Sequence, residues 1–262
     1  MRSSFIGSVL FIALAPAVVC ADQPELVVED CAVPRAGSYL VVRQGQRGDS
    51  PLGALHLETW SEDGSVRGRR FLRVGRHYSE TSYQGRWQTL STCRLTVTRV
   101  PQGSASSVLL TDQGSPRYGI STRVGDVVTE QWLPQPAGAC KPSAMDGTVL
   151  SRQMGMTFAD GAWTPNAVIQ RETWSAWRMA GLAVSSYDGD GEVAAYQGRF
   201  LQDDNCVGRI RQRDTRGVNY SYAAILRADG TGYAYLQIQS DDLTVALLDR
   251  LAPDRESIVR FR

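Results

Sequence analysis

The second half of the chain alternates apolar and polar residues in short runs, each cut off by a turn signal. This alternation predicts strands over 149–158, 167–174, 182–187, 193–201, 207–213, 220–226, 232–239 and 243–251, because successive strand side chains point to opposite faces. Asp188-Gly189-Asp190-Gly191, Arg216-Gly217, Asp229-Gly230 and Asp241-Asp242 separate the runs and suit tight hairpins. No run holds a helical period.

The first half repeats the second. Glu58-Thr59-Trp60-Ser61 returns as Glu172-Thr173-Trp174-Ser175, and Tyr83-Gln84-Gly85-Arg86-Trp87 returns as Tyr196-Gln197-Gly198-Arg199-Phe200. Arg43-Gln44 is matched to Arg152-Gln153, and Cys31 and Cys93 to Cys140 and Cys206, with an offset drifting from about 109 to about 114 residues. Between the copies, Leu133-Pro134-Gln135-Pro136-Ala137-Gly138-Ala139 is poor in residues that continue a strand ladder. The division expected is a leader at 1–21, a first repeat at 22–133, a linker at 134–142, a second repeat at 143–252 and a tail at 253–262.

About eight strands in sequence, joined by hairpins, form a meander, and closing a meander on itself removes its exposed edges. The fold class expected is therefore all-β: two tandem repeats, each a small up-and-down antiparallel barrel of about eight strands. In strand count and connection length each repeat resembles the calycin type of barrel, as in lipocalins and avidins. A β-sandwich is the main rival. A single 16-stranded outer-membrane barrel fits poorly, because strands such as Arg209-Ile210-Arg211-Gln212-Arg213 have no apolar lipid face.

Arg2 followed by the apolar run 5–19 and then Val19-Cys20-Ala21 reads as a signal peptide cleaved before Asp22, hence export to a periplasm or to the outside. No later stretch is apolar enough for a membrane span. Without Arg2, 27 basic residues balance 27 acidic ones, which argues against a nucleic-acid partner. Lys141 is the only lysine and sits in the linker, so Schiff-base chemistry has no natural host. The matched cysteines predict disulfides Cys31–Cys93 and Cys140–Cys206, each closing roughly 65 residues for about 4 kcal/mol in the chain-entropy model. Zinc is the weaker alternative, since only His56 and His77 are available and no C-x-x-C pair exists.

Alternation also sorts the repeated residues by face. Glu58 with Trp60, and Glu172 with Trp174, share a strand face, so inward tryptophans bring the glutamates inside. Arg43 and Arg152 are placed inward as well, each expected to pair with the glutamate of its own repeat. Candidate ligand-binding residues are thus Arg43, Glu58, Trp60 and Tyr83 in one repeat, and Arg152, Glu172, Trp174 and Tyr196 in the other. The alternative is that they form a polar plug at one barrel end, a fold signature kept in both copies. His56, between Leu55 and Leu57, is read as an outer-face residue. The arginines at 67, 69, 70, 73 and 76, and those at 209, 211 and 213, are read as solvated faces. Asp188-Gly189-Asp190-Gly191-Glu192 opens like a calcium loop, but Arg199 stands where the closing glutamate is required, so a hairpin turn is expected.

No nucleophile elbow, metalloprotease helix or phosphate-cradling loop is found, and no cofactor or metal is called for. The function expected is an exported, non-enzymatic tandem β-barrel protein binding a small apolar or amphipathic ligand. Two alternatives stand beside it: a surface-interaction or inhibitor protein with filled barrels, and a barrel isomerase or cyclase using an inward carboxylate or tyrosine.

Overall fold

A computed structural model describes residues 31–91, 93–101, 103–238 and 241–251; the expected leader and tail lie outside the described residues. Every regular element in it is a strand. The first eight are β1 (Gly37–Arg47), β2 (Ser50–Trp60), β3 (Ser65–Val74), β4 (His77–Ser91), β5 (Arg94–Val100), β6 (Ser104–Leu110), β7 (Pro116–Ser121) and β8 (Asp126–Gln135). The second eight are β9 (Gly147–Ala159), β10 (Ala162–Ser175), β11 (Arg178–Tyr187), β12 (Asp190–Asp204), β13 (Val207–Asp214), β14 (Asn219–Leu226), β15 (Gly232–Gln237) and β16 (Asp242–Arg250). Each set closes into its own antiparallel up-and-down barrel, β1 pairing with β8 and β9 with β16. The two disulfides join Cys31 to Cys93 and Cys140 to Cys206.

Strands run farther than the alternation implied because the turns are tighter. Asp188 (φ 49°) and Gly189 (φ 92°) form a two-residue hairpin with a left-handed backbone, so β11 and β12 pair out to Tyr187 and Asp190 and the calcium-like string is a turn. At the other end of the chain's midpoint, β8 continues through Pro134, which pairs with Tyr39 beyond the stretch shared with β7. There its missing N–H breaks no ladder on the β7 side.

The barrels do not stand apart. Leu40, Leu55 and Phe71 on the outside of the first pack with Ile225, Leu236 and Val245 on the outside of the second in one buried cluster. Gly53 of β2 marks the close approach: a Cβ there would lie 3.0 Å from a Leu236 methyl and 3.1 Å from one of Leu243. The arginines expected in solvent hold this seam together. Arg73 is buried and donates to the carbonyls of Gly75, Gln237 and Asp242; Arg69 and Arg209 share Glu80; Arg76 meets Asp241 at 2.9 Å. Arg209 also lies over Phe71, 5.5 Å from the ring centroid. A solvent face is therefore the wrong assignment for Arg69, Arg73 and Arg209 at the seam, and for Arg70, which is buried inside the first barrel opposite His56, since an alternating strand has two faces and both can meet protein instead of water.

Candidate functional site

Three tryptophans share one device. Trp60 donates its indole N–H to Glu58 at 3.0 Å, Trp132 to Glu130 at 3.2 Å and Trp174 to Glu172 at 2.7 Å. Residues two apart on a strand project from the same face, so a Glu-x-Trp step on an inward face delivers its own donor to its own carboxylate. A second device brings a tyrosine to the same acid. Gly68 faces Tyr83 across β3 and β4, and Gly181 faces Tyr196 across β11 and β12. A Cβ at either glycine would overlap the tyrosine ring, so its absence lets the ring lie across the strand and the hydroxyl reach Glu58 or Glu172.

In the first barrel this acid is embedded in charge. Glu58 Oε1 accepts from Arg99 Nε at 2.6 Å and from Tyr83. Arg99 Nη1 donates to Ser106 at 2.7 Å, and Ser106 in turn donates to Glu130 at 2.6 Å. Arg43 approaches Glu130 at 2.8 Å, as a charge contact rather than an aligned hydrogen bond, and Arg70 is buried nearby. His56 lies inside, not outside: it shares parity with Glu58 and is fully buried, its Nδ1 2.8 Å from the Tyr83 hydroxyl. Because Tyr83 gives its proton to Glu58, the histidine must donate from Nδ1, which leaves Nε2 without a partner.

The electrostatics follow from this order of contacts. Burial pushes the Glu58 carboxyl up, but Arg99 and the bonds from His56 and Tyr83 outweigh it and hold the group well below the usual carboxylate range. Burial lowers His56 to about 3, with Arg99 and Arg43 adding repulsion against the attraction of Glu58, so the ring is neutral. Burial lowers Arg43 as well, against the pull of Glu130.

Register alignment shows what the second barrel has done with the same positions. Glu58 pairs with Tyr39 and Glu172 with Val149, so four residues farther along the neighbouring strand the counterpart of Arg43 is Gln153, not Arg152. Arg152 is exposed on the outer face. The repeated Arg-Gln dipeptide misled by one residue, and a one-residue slip moves every side chain to the opposite face. The expected Arg152–Glu172 and Arg43–Glu58 pairs are therefore both absent. Gln170 stands for His56, Ala183 for Arg70, Gln212 for Arg99 and Ala246 for Glu130. Of these charged and titratable groups only the glutamate is kept, with its tyrosine and tryptophan. Glu172 accepts from Tyr196 at 2.8 Å, Gln212 at 3.2 Å, Tyr233 at 2.6 Å and Trp174, and no arginine, lysine or histidine among the described residues reaches it within salt-bridge range.

Losing those charges opens space. A cavity of about 60 Å³ lies in the second barrel, lined by tyrosines 187, 196, 220, 222 and 235 together with Gln153, Asn166, Gln170 and Gln212. Its Tyr222 and Tyr235 belong to the same buried cluster as Trp174, Met179, Phe200 and Tyr233, and Glu172 lies behind Tyr196 and Gln212. On its wall Arg216 bridges Glu192 and Asp214. Burial raises Tyr196, Tyr222 and Tyr235 above the ordinary phenol range, and Glu172 raises them further, so they remain neutral. Of the eight candidate residues, seven are buried in the barrel interiors and only Arg152 is outside. Arg99, Glu130 and Gln212 escaped notice. The Glu130-Gln131-Trp132 string carries the Glu-x-Trp spacing that would have found one of them.

No protein-family model matches the chain, and no curated protein matches it. Solved structures with a distant likeness include kievitone hydratase from Nectria haematococca, 6% identical with a TM-score of 0.29, covering 84% of this chain and 91% of that one. A porin-like protein from Bacteroides uniformis is 10% identical with a TM-score of 0.23 over 86% and 99% of the two chains. An AttH-type protein from Nitrosomonas europaea is 10% identical with a TM-score of 0.26 over 90% and 98%. At such scores none of them bears on function.

Proposed function

We propose that this chain is an exported, non-enzymatic binding protein whose second barrel takes the head group of a small amphipathic ligand, while the first is a filled scaffold. The observation that carries this is the contrast at matched positions. Where the first barrel holds His56, Arg70, Arg99 and Glu130, the second holds Gln170, Ala183, Gln212 and Ala246 and has a cavity. A wall of amide and phenol groups around a small space is the makeup of a site that orients a polar head group. Glu172 favours binding over catalysis, because its oxygens are taken up by four donors and it stands behind the side chains that face the cavity. Export rests on the two disulfides, which persist in oxidising compartments. Native mass spectrometry of the full-length protein from its own secretory route should show a retained small molecule. Ala183→Leu, which fills the cavity, should abolish retention with a stability change within about 1–3 kcal/mol, the usual range for overpacking. Protein that emerges empty, and that takes up nothing from its own culture medium, would overturn the proposal.

A second function, docking of a protein partner, is favoured by a separate observation. Val42, Leu150, Met154, Ile169, Val184 and Leu247 line an open groove where the outer faces of the two barrels meet. Met154 and Ile169 are more than half exposed. Exposed apolar side chains gathered along one groove are a candidate docking surface. Sedimentation of the full chain should then show a complex that Ile169→Glu disrupts; unchanged monomeric sedimentation of both proteins, with no partner captured from the native secretion, would discard it.

A further inference from the structure

The cavity of the second barrel has a sign. Three carboxylates, Glu192, Asp214 and Asp242, and one guanidinium, Arg216, line its wall, a formal charge of minus two that Arg73, outside the lining beside Asp242, reduces without reversing. Behind Tyr196 and Gln212, Glu172 adds a carboxylate that no cationic side chain among the described residues approaches within salt-bridge range. Arg216 is committed to Glu192 and to Asp214, the latter at 2.8 Å, so it does not offer a free guanidinium to an anion.

On the reading that this cavity is the binding site, we infer that its ligand carries a compact organic cation, an ammonium or methylated ammonium head group. Five tyrosines line the space, two of which, Tyr222 and Tyr235, pack on each other with ring centroids 4.5 Å apart. The face of a phenol ring is electronegative, and a cage of such faces attracts an alkylated ammonium that has few hydrogen bonds to lose on leaving water. Asn166 is 4% exposed and also lines the cavity, and its Oδ1, packed over Gly155, has no hydrogen-bond partner among the described residues. Acceptors and ring faces suit a cation, whereas a carboxylate or phosphate would meet like charge. Size limits the group without choosing its charge, since about 60 Å³ admits a compact head group rather than a whole lipid-sized molecule. The first barrel supplies the internal contrast, because the same positions there carry Arg43, Arg70 and Arg99 and would repel such a group.

Calorimetric titration of the full chain with three isosteric probes tests this: choline, the neutral 3,3-dimethylbutan-1-ol, and the anion 3,3-dimethylbutanoate. Choline should bind about tenfold or more tighter than the alcohol, the gain expected from a desolvated cation over aromatic faces, and the anion should not bind. Asp214→Asn and Tyr222→Leu should each shrink the gap between choline and the alcohol, with near-ultraviolet dichroism reporting that the barrel remains packed. If Tyr222→Leu does not fold, the wild-type comparison and Asp214→Asn decide. Equal binding of choline and the alcohol, or tighter binding of the anion, would overturn the charge inference while leaving the binding site in place. If no probe binds but native protein retains another molecule, the cation is wrong and the site stands. No probe and no retained molecule would remove both.

Discussion

Glu58→Gln should cost about 3–5 kcal/mol of unfolding free energy, the range for breaking a buried ion pair by removing one partner. The matching Glu172→Gln should cost only about 1–3 kcal/mol, the range for a disturbed buried hydrogen bond. The difference comes from the donors. Glu58 is held by Arg99, whose guanidinium cannot turn into an acceptor or shed its charge, so the glutamine leaves it facing an amide with Arg43 and Arg70 close by. Glu172 is held by two tyrosine hydroxyls, an amide and an indole, and either hydroxyl can rotate to accept from a glutamine NH₂. Denaturant unfolding of the full chain measures both on one scaffold, with hydrogen exchange resolving which barrel opens. Equal losses at the two positions would show that the first interior is not held by charge.

Acid should loosen the first barrel well before the second. His56 sits at about 3 in the folded barrel against 6.5 in an unfolded chain. Between those values the unfolded chain takes a proton that the folded one refuses, so this contribution is fully present above pH 6.5 and is lost as pH falls toward 3. Glu58, held below its ordinary 4.5, acts in the same direction at the lower end: its share is present above 4.5 and fades as it protonates. The histidine alone contributes at most about 5 kcal/mol, because each tenfold loss of proton affinity on folding corresponds to about 1.4 kcal/mol. His56→Gln installs the residue that the second barrel carries at Gln170 and removes the titrating group. Melting temperatures between pH 7 and pH 4 should therefore fall steeply for the parent and less for the variant. Parallel curves would mean that the ring is charged in the folded barrel.

Much of this architecture was legible in the sequence. Strict alternation with hairpin signals gave the strands, their number gave closure, and cysteines at matching places gave the disulfides. The inward glutamates were legible for the same reason, since Glu-x-Trp fixes the face of both side chains once either is inside. Partners were not legible, because a barrel brings together residues that are distant in sequence. Arg99 meets Glu58 across 41 positions, and nothing near Arg99 announces it. Parity was the tool most easily misused. It assigns His56 to the face of Glu58 and Trp60, yet neighbouring leucines suggested the reverse, and of those Leu55 is buried and Leu57 half-buried where a second barrel covers them. Arg152 fell to a coincidence of two letters, which only the strand register corrects.

The seam between the barrels gives the hollow one a guardian. A cavity destabilises the structure around it by an amount that grows with its volume, and a lone small barrel carries that burden by itself. Here, unfolding the second barrel would also strip the cover from Leu40, Leu55 and Phe71, and would leave Arg73 without the carbonyls of Gln237 and Asp242. Thermodynamic linkage through a shared buried surface therefore lets the rigid neighbour underwrite mutations in the hollow one. The lining of the second barrel is free to diversify toward new ligands so long as its outer face keeps its fit against the first, which makes the seam, rather than the cavity, the surface where substitutions would be least tolerated.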